Sequence, residues 1–258
     1  MIGIRDGQQS SADGVQSIRR AFELLETLAE SGPMSLSQLS AKSGLPLTTV
    51  HRLTGTLAGL GYLRQQSAKQ YALGPRLINL GERSSRLLTT WAVPHLTRLV
   101  DELGETTNLA MLDGDEIVYV AQAPSRHSMR MFTEVGRHVL PHCTAVGKAL
   151  LAQLPADQVE GIVRRTGMPA KTENTITTPA GLAEELGVVR RQGFAVDDGE
   201  QEVGVHCLAV ALTDESPRLA LSVSGPVSRM TEDLVRRAIP LLNQTARELA
   251  ADLAVARG

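Results

Sequence analysis

The chain has 258 residues, 42% of them hydrophobic and 21% charged, and a formal charge of −2. That composition supports one or two ordinary domains and excludes whole-chain disorder, collagen and coiled-coil arrays. No stretch nears the ~20 apolar residues that span a bilayer, and Met1–Ser10 lacks the apolar run of a signal peptide. With only two cysteines there is no disulfide framework, so a cytoplasmic protein with no membrane partner is expected.

The near-neutral total hides an asymmetry. Residues 1–90 carry ten Lys/Arg against six Asp/Glu, whereas residues 91–258 carry sixteen against twenty-two. A basic third joined to an acidic remainder points to two domains with different partners.

The first third reads as helices. Val15, Ile18, Ala21, Phe22, Leu25 and Leu28 recur at helical spacing behind an Asp13 cap, and Ser31-Gly32-Pro33 ends that helix. Ser35-Leu36-Ser37-Gln38 has capping-box spacing and starts a short helix that stops at Ser43-Gly44. Leu45-Pro46 opens the next, with Leu47, Val50, Leu53, Leu57 and Leu60 on its apolar face. Two helices about a glycine corner within some twenty residues make a helix-turn-helix, with Leu39, Leu45, Val50 and Leu53 as the wedge. Thr48, Thr49, His51, Arg52 and Thr56 fall on the opposite face. Their hydroxyl, imidazole and guanidinium groups suit phosphates and base edges in a major groove. Strands at 61–64 and 71–74 flank a polar tip and form a wing. Ser35, Arg64 and Lys69 complete the candidate DNA contacts, and the expected partner is double-stranded DNA.

From Pro75 a helix runs toward Trp91. Pro94 is expected to interrupt it, so that a second helix reaches Leu103. The domains are therefore drawn as 1–74, a helical linker 75–103, and 104–258. Beyond Gly104, strands are expected at 106–112 and 117–121 about the turn Asp113-Gly114-Asp115, with a third at 128–132. Helices are expected at 145–154 and 182–191, strands at 206–212 and 219–224, and a long helix at 231–254 kinked at Pro240. Strand runs with helices on a face make an α+β domain.

The last two strands each alternate a bulky face with a small one. Cys207, Ala209 and Ala211 share a face, as do Ala220, Ser222 and Ser224. If these faces coincide they leave room for a small ligand, or they let a helix pack close. His142 to Lys148 leads into a helix, where free N–H groups offer an anion site or Thr144 simply caps. His142, Cys143, His206 and Cys207 also invite a metal-sensor reading, but the x₂₋₄ ligand spacing is absent. Cys207 and His206 invite a cysteine-enzyme reading, yet adjacent strand residues face opposite ways and no triad or oxyanion motif accompanies them. Neither an enzyme nor a cofactor is expected.

Taken in order, Ser17–Ala21, Gly44–Leu53, Tyr71–Gly74, Gly147–Ala152, Gly193–Glu200, Gly204–Ala209 and Leu221–Pro226 resemble the IclR family of bacterial transcriptional regulators. The resemblance implies a winged helix-turn-helix, a helical linker and a GAF-like effector domain. It implies dimers, often paired into tetramers, on palindromic operators, and a repressor of a catabolic operon released by a small organic acid or ureide such as glyoxylate or allantoin. It places the effector contacts on Ala145, Val146, Asp197, Cys207, Ser222 and Ser224, with Met131, Val139 and Val205 as an apolar wall. The family loop often reads Gly-Ala where this chain has Ala145-Val146, and the bulkier Val146 narrows the pocket.

Overall fold

A computed structural model describes residues 15–66, 69–131, 133–212 and 218–257. By contact density the chain divides into two units, Met1–Ser84 and Ser85–Gly258.

The first unit contains α1 (Gln16–Ser31), β1 (Met34–Ser35), α2 (Leu36–Ser43), α3 (Leu47–Gly59), β2 (Leu63–Gln65) and β3 (Gln70–Leu73). Leu24, Leu25, Leu28, Leu39, Val50, Leu53, Leu57 and Leu63 form its core, with Leu45 packed against them. The stripe expected on α1 is therefore rotated. Leu24 turns inward with Leu25 and Leu28, while Val15, Ile18 and Phe22 stay exposed. Ile18 and Phe22 line an open apolar groove of about 590 Å³ with Leu60, Leu77 and Leu80. The Asp13 cap lies outside the described residues. Gly44 ends α2 at φ +69°, the left-handed corner that a side chain disfavours. β1 is a strand that the sequence did not announce. It pairs with β3, giving the sheet order β1-β3-β2.

The helix α4 runs unbroken from Arg76 to Leu103 with Pro94 inside it. The expected interruption is thus absent. A mid-helix proline costs about 3 kcal/mol, and burial of Ala92, Leu96, Leu99, Val100 and Leu103 on one side of the helix offsets it.

The second unit holds β4 (Thr106–Asp113), β5 (Glu116–Ala123), β6 (His138–Val139), α5 (Ala145–Leu151), α6 (Ala156–Thr166), α7 (Pro179–Gln192), β7 (Ala195–Asp198), β8 (Val205–Ala211), β9 (Leu219–Pro226) and α8 (Glu232–Arg257). Its antiparallel sheet has the order β6-β5-β4-β9-β8-β7. Residues 128–131 are not a strand; Phe132 lies outside the described residues. Met129 is 72% exposed, and β5 is paired by His138–Val139 instead. Two apolar layers sandwich the sheet. Leu219, Leu221 and Val223 face α8 and the end of α4. Ala110, Ala209 and Ala220 face α5 and its neighbours. Small residues on that side let α5 lie close against the sheet.

Candidate functional sites

In the first unit α3 presents Thr48, His51, Arg52 and Thr56 to solvent, with Thr49 half-buried. Val50, Leu53, Thr54 and Leu57 fix its inner face. The Thr56 hydroxyl donates to Arg52 O at 3.0 Å, within its own helix. Ser35 caps α2: its Oγ accepts from Gln38 N at 3.3 Å, and its own N–H donates to Gln38 Oε1 at 2.9 Å. Its hydroxyl is thus engaged in the capping box that the spacing announced. In the wing, Arg64 is exposed on β2. Lys69 is exposed at the tip with φ +58°, in the left-handed region unusual for a residue with a side chain.

In the second unit the strand register answers whether the small faces coincide. Asp197 pairs with Cys207, Cys207 with Ser224, and Ser224 with Thr106. These four residues form one row across β7, β8, β9 and β4. Ser222 lies one step further along the same face, opposite Ala209 on one side and Asn108 on the other. Residues in register on adjacent antiparallel strands place their side chains on the same face. The row is covered by the start of α5. Thr144 Oγ1 accepts from Gly147 N at 3.2 Å and sets the first turn. Gly147 is required there, because a Cβ would lie 2.2 Å from Pro141 O.

Between row and helix is a cavity of about 40 Å³, lined by Met131, Ala145, Val146, Asp197, Val205, Cys207, Ser222 and Ser224 together with Tyr119, Thr133, Thr144, Gln201 and Glu202. Of the residues named from the sequence, Val139 is set apart. It is buried in the apolar layer with Ile117 and does not line the cavity. Tyr119, Thr133, Thr144, Gln201 and Glu202 were missed. Thr144 could have been found from its capping position, and Thr133, Gln201 and Glu202 from their closeness in sequence to Met131, Asp197 and Val205, whereas Tyr119 is brought in by strand packing.

The lining holds two carboxylates and no Lys, Arg or His. Burial pushes the Asp197 carboxyl above its ordinary range, against N–H donors from Glu200 and Gln201 and the nearby Lys148. Its Oδ1 accepts from Glu200 N at 2.7 Å and from Gln201 N at 3.4 Å. Burial also raises the Cys207 and Tyr119 groups, so both remain protonated at neutral pH. The Cys143 thiol rises to about 12 for the same reason and donates to Gln201 Oε1 at 2.9 Å. Such thiols are not activated nucleophiles.

His142 is buried, and burial lowers its pKa; the neutral ring places Nε2 3.2 Å from Pro169 O. His206 instead places Nδ1 3.1 Å from Asp198 Oδ1. Among the described residues no three His, Cys, Asp or Glu side chains are placed to hold a metal ion. No described helix is long and apolar enough to cross a membrane.

Two family profiles match the chain. The IclR helix-turn-helix domain covers residues 17–67, and the bacterial transcriptional regulator IclR C-terminal covers residues 83–251. The chain belongs to the IclR family. The transcriptional repressor IclR of Escherichia coli is 37% identical over 243 residues, 91% of this chain and 89% of that protein. The HTH-type transcriptional repressor AllR of Klebsiella pneumoniae is 33% identical over 96% of this chain and 94% of its own. An IclR homolog from Microbacterium hydrocarbonoxydans, solved in complex with 4-hydroxybenzoate, superposes with a TM-score of 0.80 at 25% identity, covering 93% of this chain and 99% of that one. This IclR-family chain is therefore a DNA-binding transcriptional regulator, not an enzyme.

Proposed function

We propose that the protein is a repressor released from its operator by a small organic effector held in the 40 Å³ cavity of the second unit. Residues 1–74 engage DNA, 104–258 sense the effector and 75–103 link them. Thr48, Thr49, His51 and Arg52 read the major groove, while Arg64 and Lys69 of the wing and Thr56 of α3 lie toward the phosphates. Ser35 acts on DNA only by holding α2 in place, since its hydroxyl is occupied. The repressor relatives support the sign of regulation, and the family supports a dimer or tetramer of this chain on a palindromic site.

The observation that carries the effector reading is the row Asp197, Cys207, Ser224 with Ser222 beside it, roofed by Ala145 and Val146. Ser and Thr hydroxyls donate to ligand oxygens, and Asp197 accepts from a ligand O–H or N–H. With no cation in the lining, a bare anion is a poor match. A ligand that also offers donors fits better. A 2-oxo acid in its hydrated, gem-diol form does this, and so does a ureide. Size favours the former. At about 10–15 Å³ per water-sized centre, the cavity takes a few heavy atoms. Of the candidate ligands glyoxylate comes nearest to that volume, and allantoin or an aromatic acid requires the larger movement of the walls.

The test is a thermal-shift series with glyoxylate, pyruvate, allantoin and 4-hydroxybenzoate, because a ligand that binds the folded state raises its melting temperature. Glyoxylate or pyruvate is expected to shift the wild type. The Ser222→Ala/Ser224→Ala variant should lose that shift, since each hydroxyl removed from a buried polar contact costs about 1–3 kcal/mol. It should keep operator binding. A wild type stabilised only by the larger ligands, or a variant with an undiminished response, refutes the assignment.

A further inference from the structure

Lys148 lies in α5, three residues beyond Ala145, and is 1% exposed; it is the only Lys or Arg among the buried described residues. Its Nζ donates to Glu185 Oε1 on α7 at 2.9 Å and, more closely still, to Glu200 Oε1 in the loop after β7. A buried ion pair rarely stabilises a fold more than apolar residues of the same volume. Its presence here is better explained by what it holds in place. Glu200 gives its backbone N–H to Asp197 Oδ1, and Gln201 gives its own to the same oxygen. From behind, Thr172 donates to Gly199 O at 2.6 Å, Asn174 to Asp198 O at 2.9 Å and Thr175 to Glu200 O at 2.7 Å. The turn 197–201 is thus held by a polar turn at 172–175, by the Cys143 thiol on Gln201 Oε1 and by Lys148. Only Lys148 belongs to the helix whose first residues form the opposite wall of the cavity. Glu200 Oε2 is buried with no partner among the described residues, so the ammonium is the side-chain carboxylate's one compensating group.

We propose that Lys148 is a positioning residue of the effector cavity: through Glu200 it locks the turn bearing Asp197 and Gln201 to the helix bearing Ala145 and Val146, so that the two walls keep one spacing. The proposal rests on the effector reading for its function, but the coupling of turn to helix can be measured without any ligand.

The experiment compares wild type, Lys148→Met, Glu200→Gln and the double variant in the full chain. Amide hydrogen exchange, melting temperature and glyoxylate binding by calorimetry are read for each. In Lys148→Met the amides of 197–201 are expected to exchange about tenfold faster, while those of β4 and β9 keep their protection. Adding Glu200→Gln removes the more deeply buried of the two carboxylates left unpaired, Glu185 being partly exposed, and restores most of the melting temperature. It does not restore slow exchange, and the glyoxylate Kd stays about tenfold weaker than wild type. Should Lys148→Met fail to fold, Glu200→Ala, which leaves Lys148 paired with Glu185 and removes the acceptor on the turn, is expected to show the same localised loss of protection. Unchanged exchange at 197–201, or a double variant that recovers affinity together with melting temperature, overturns the proposal. If the wild type gives no heat with glyoxylate, the effector class falls instead. The exchange comparison then decides the positioning role by itself.

Discussion

Asp197 concentrates the chemistry of the cavity in one side chain. It is 3% exposed, and burial outweighs the donors around it, so its pKa lies above the ordinary 3.8. The folded state therefore keeps the proton to higher pH than the unfolded chain does. Between the two pKa values the folded state binds more protons, and stability falls as pH rises. The contribution is fully present below 3.8 and is lost as pH climbs through the folded-state value. Asp197→Asn removes this titration and keeps an Oδ1 to accept from Glu200 and Gln201. The melting temperature of the variant minus that of wild type is expected to be near zero at about pH 4 and to grow more positive toward pH 7. A difference that is constant or falls over that range shows that burial does not govern this carboxyl.

At the scale of the element, α3 and the cap of α2 separate two roles that the sequence merges. Arg52 is exposed on the outer face of α3, so Arg52→Ala should leave stability near wild type and weaken operator binding by about tenfold or more at matched salt. Ser35 is engaged in a capping box, so Ser35→Ala should cost about 1 kcal/mol of stability, with any loss of DNA affinity following the loss of fold. Denaturant melts beside gel-shift titrations on a duplex selected by the wild type distinguish them. A Ser35→Ala protein that is fully stable yet blind to DNA reverses the assignment. The same two elements show what was legible. Capping chemistry, the glycine corner and helical periodicity are local signals, so α2, α3 and the wing could be read directly. Alternation in β8 and β9 announced small faces, but only the pairing Asp197–Cys207–Ser224 brings them to one row. Tyr119 reaches the cavity from a strand far away in sequence, where no local pattern marks it, whereas Gln201 stands in the turn that follows Asp197. Helix α6 escaped notice because Val159 and Ile162 are its only large buried apolar residues and Gly161 stands between them. Met129 and Met131 imitated a strand by alternation alone; the edge of β5 was already taken by His138–Val139.

For the whole molecule the consequence is thermodynamic. The positive excess of residues 1–90 lies on the helix-turn-helix unit and the start of α4, and the negative excess on the remainder. An effector acts on such a molecule only through its difference in affinity for the DNA-competent and DNA-incompetent states. Binding equilibria are reciprocal. If glyoxylate weakens operator binding by some factor, saturating operator must weaken glyoxylate binding by the same factor, within the range of about 5- to 150-fold usual for such couplings. Calorimetric titration of glyoxylate into the protein, free and then saturated with its selected duplex, is expected to show that loss of affinity. Fluorescence anisotropy of the labelled duplex across a glyoxylate series should return the matching factor. With Lys148→Met/Glu200→Gln both factors should shrink together, because a loosened turn no longer distinguishes the two states. A duplex-bound protein that takes glyoxylate as tightly as the free one means that the cavity and the operator are not coupled, and that release from DNA has another trigger.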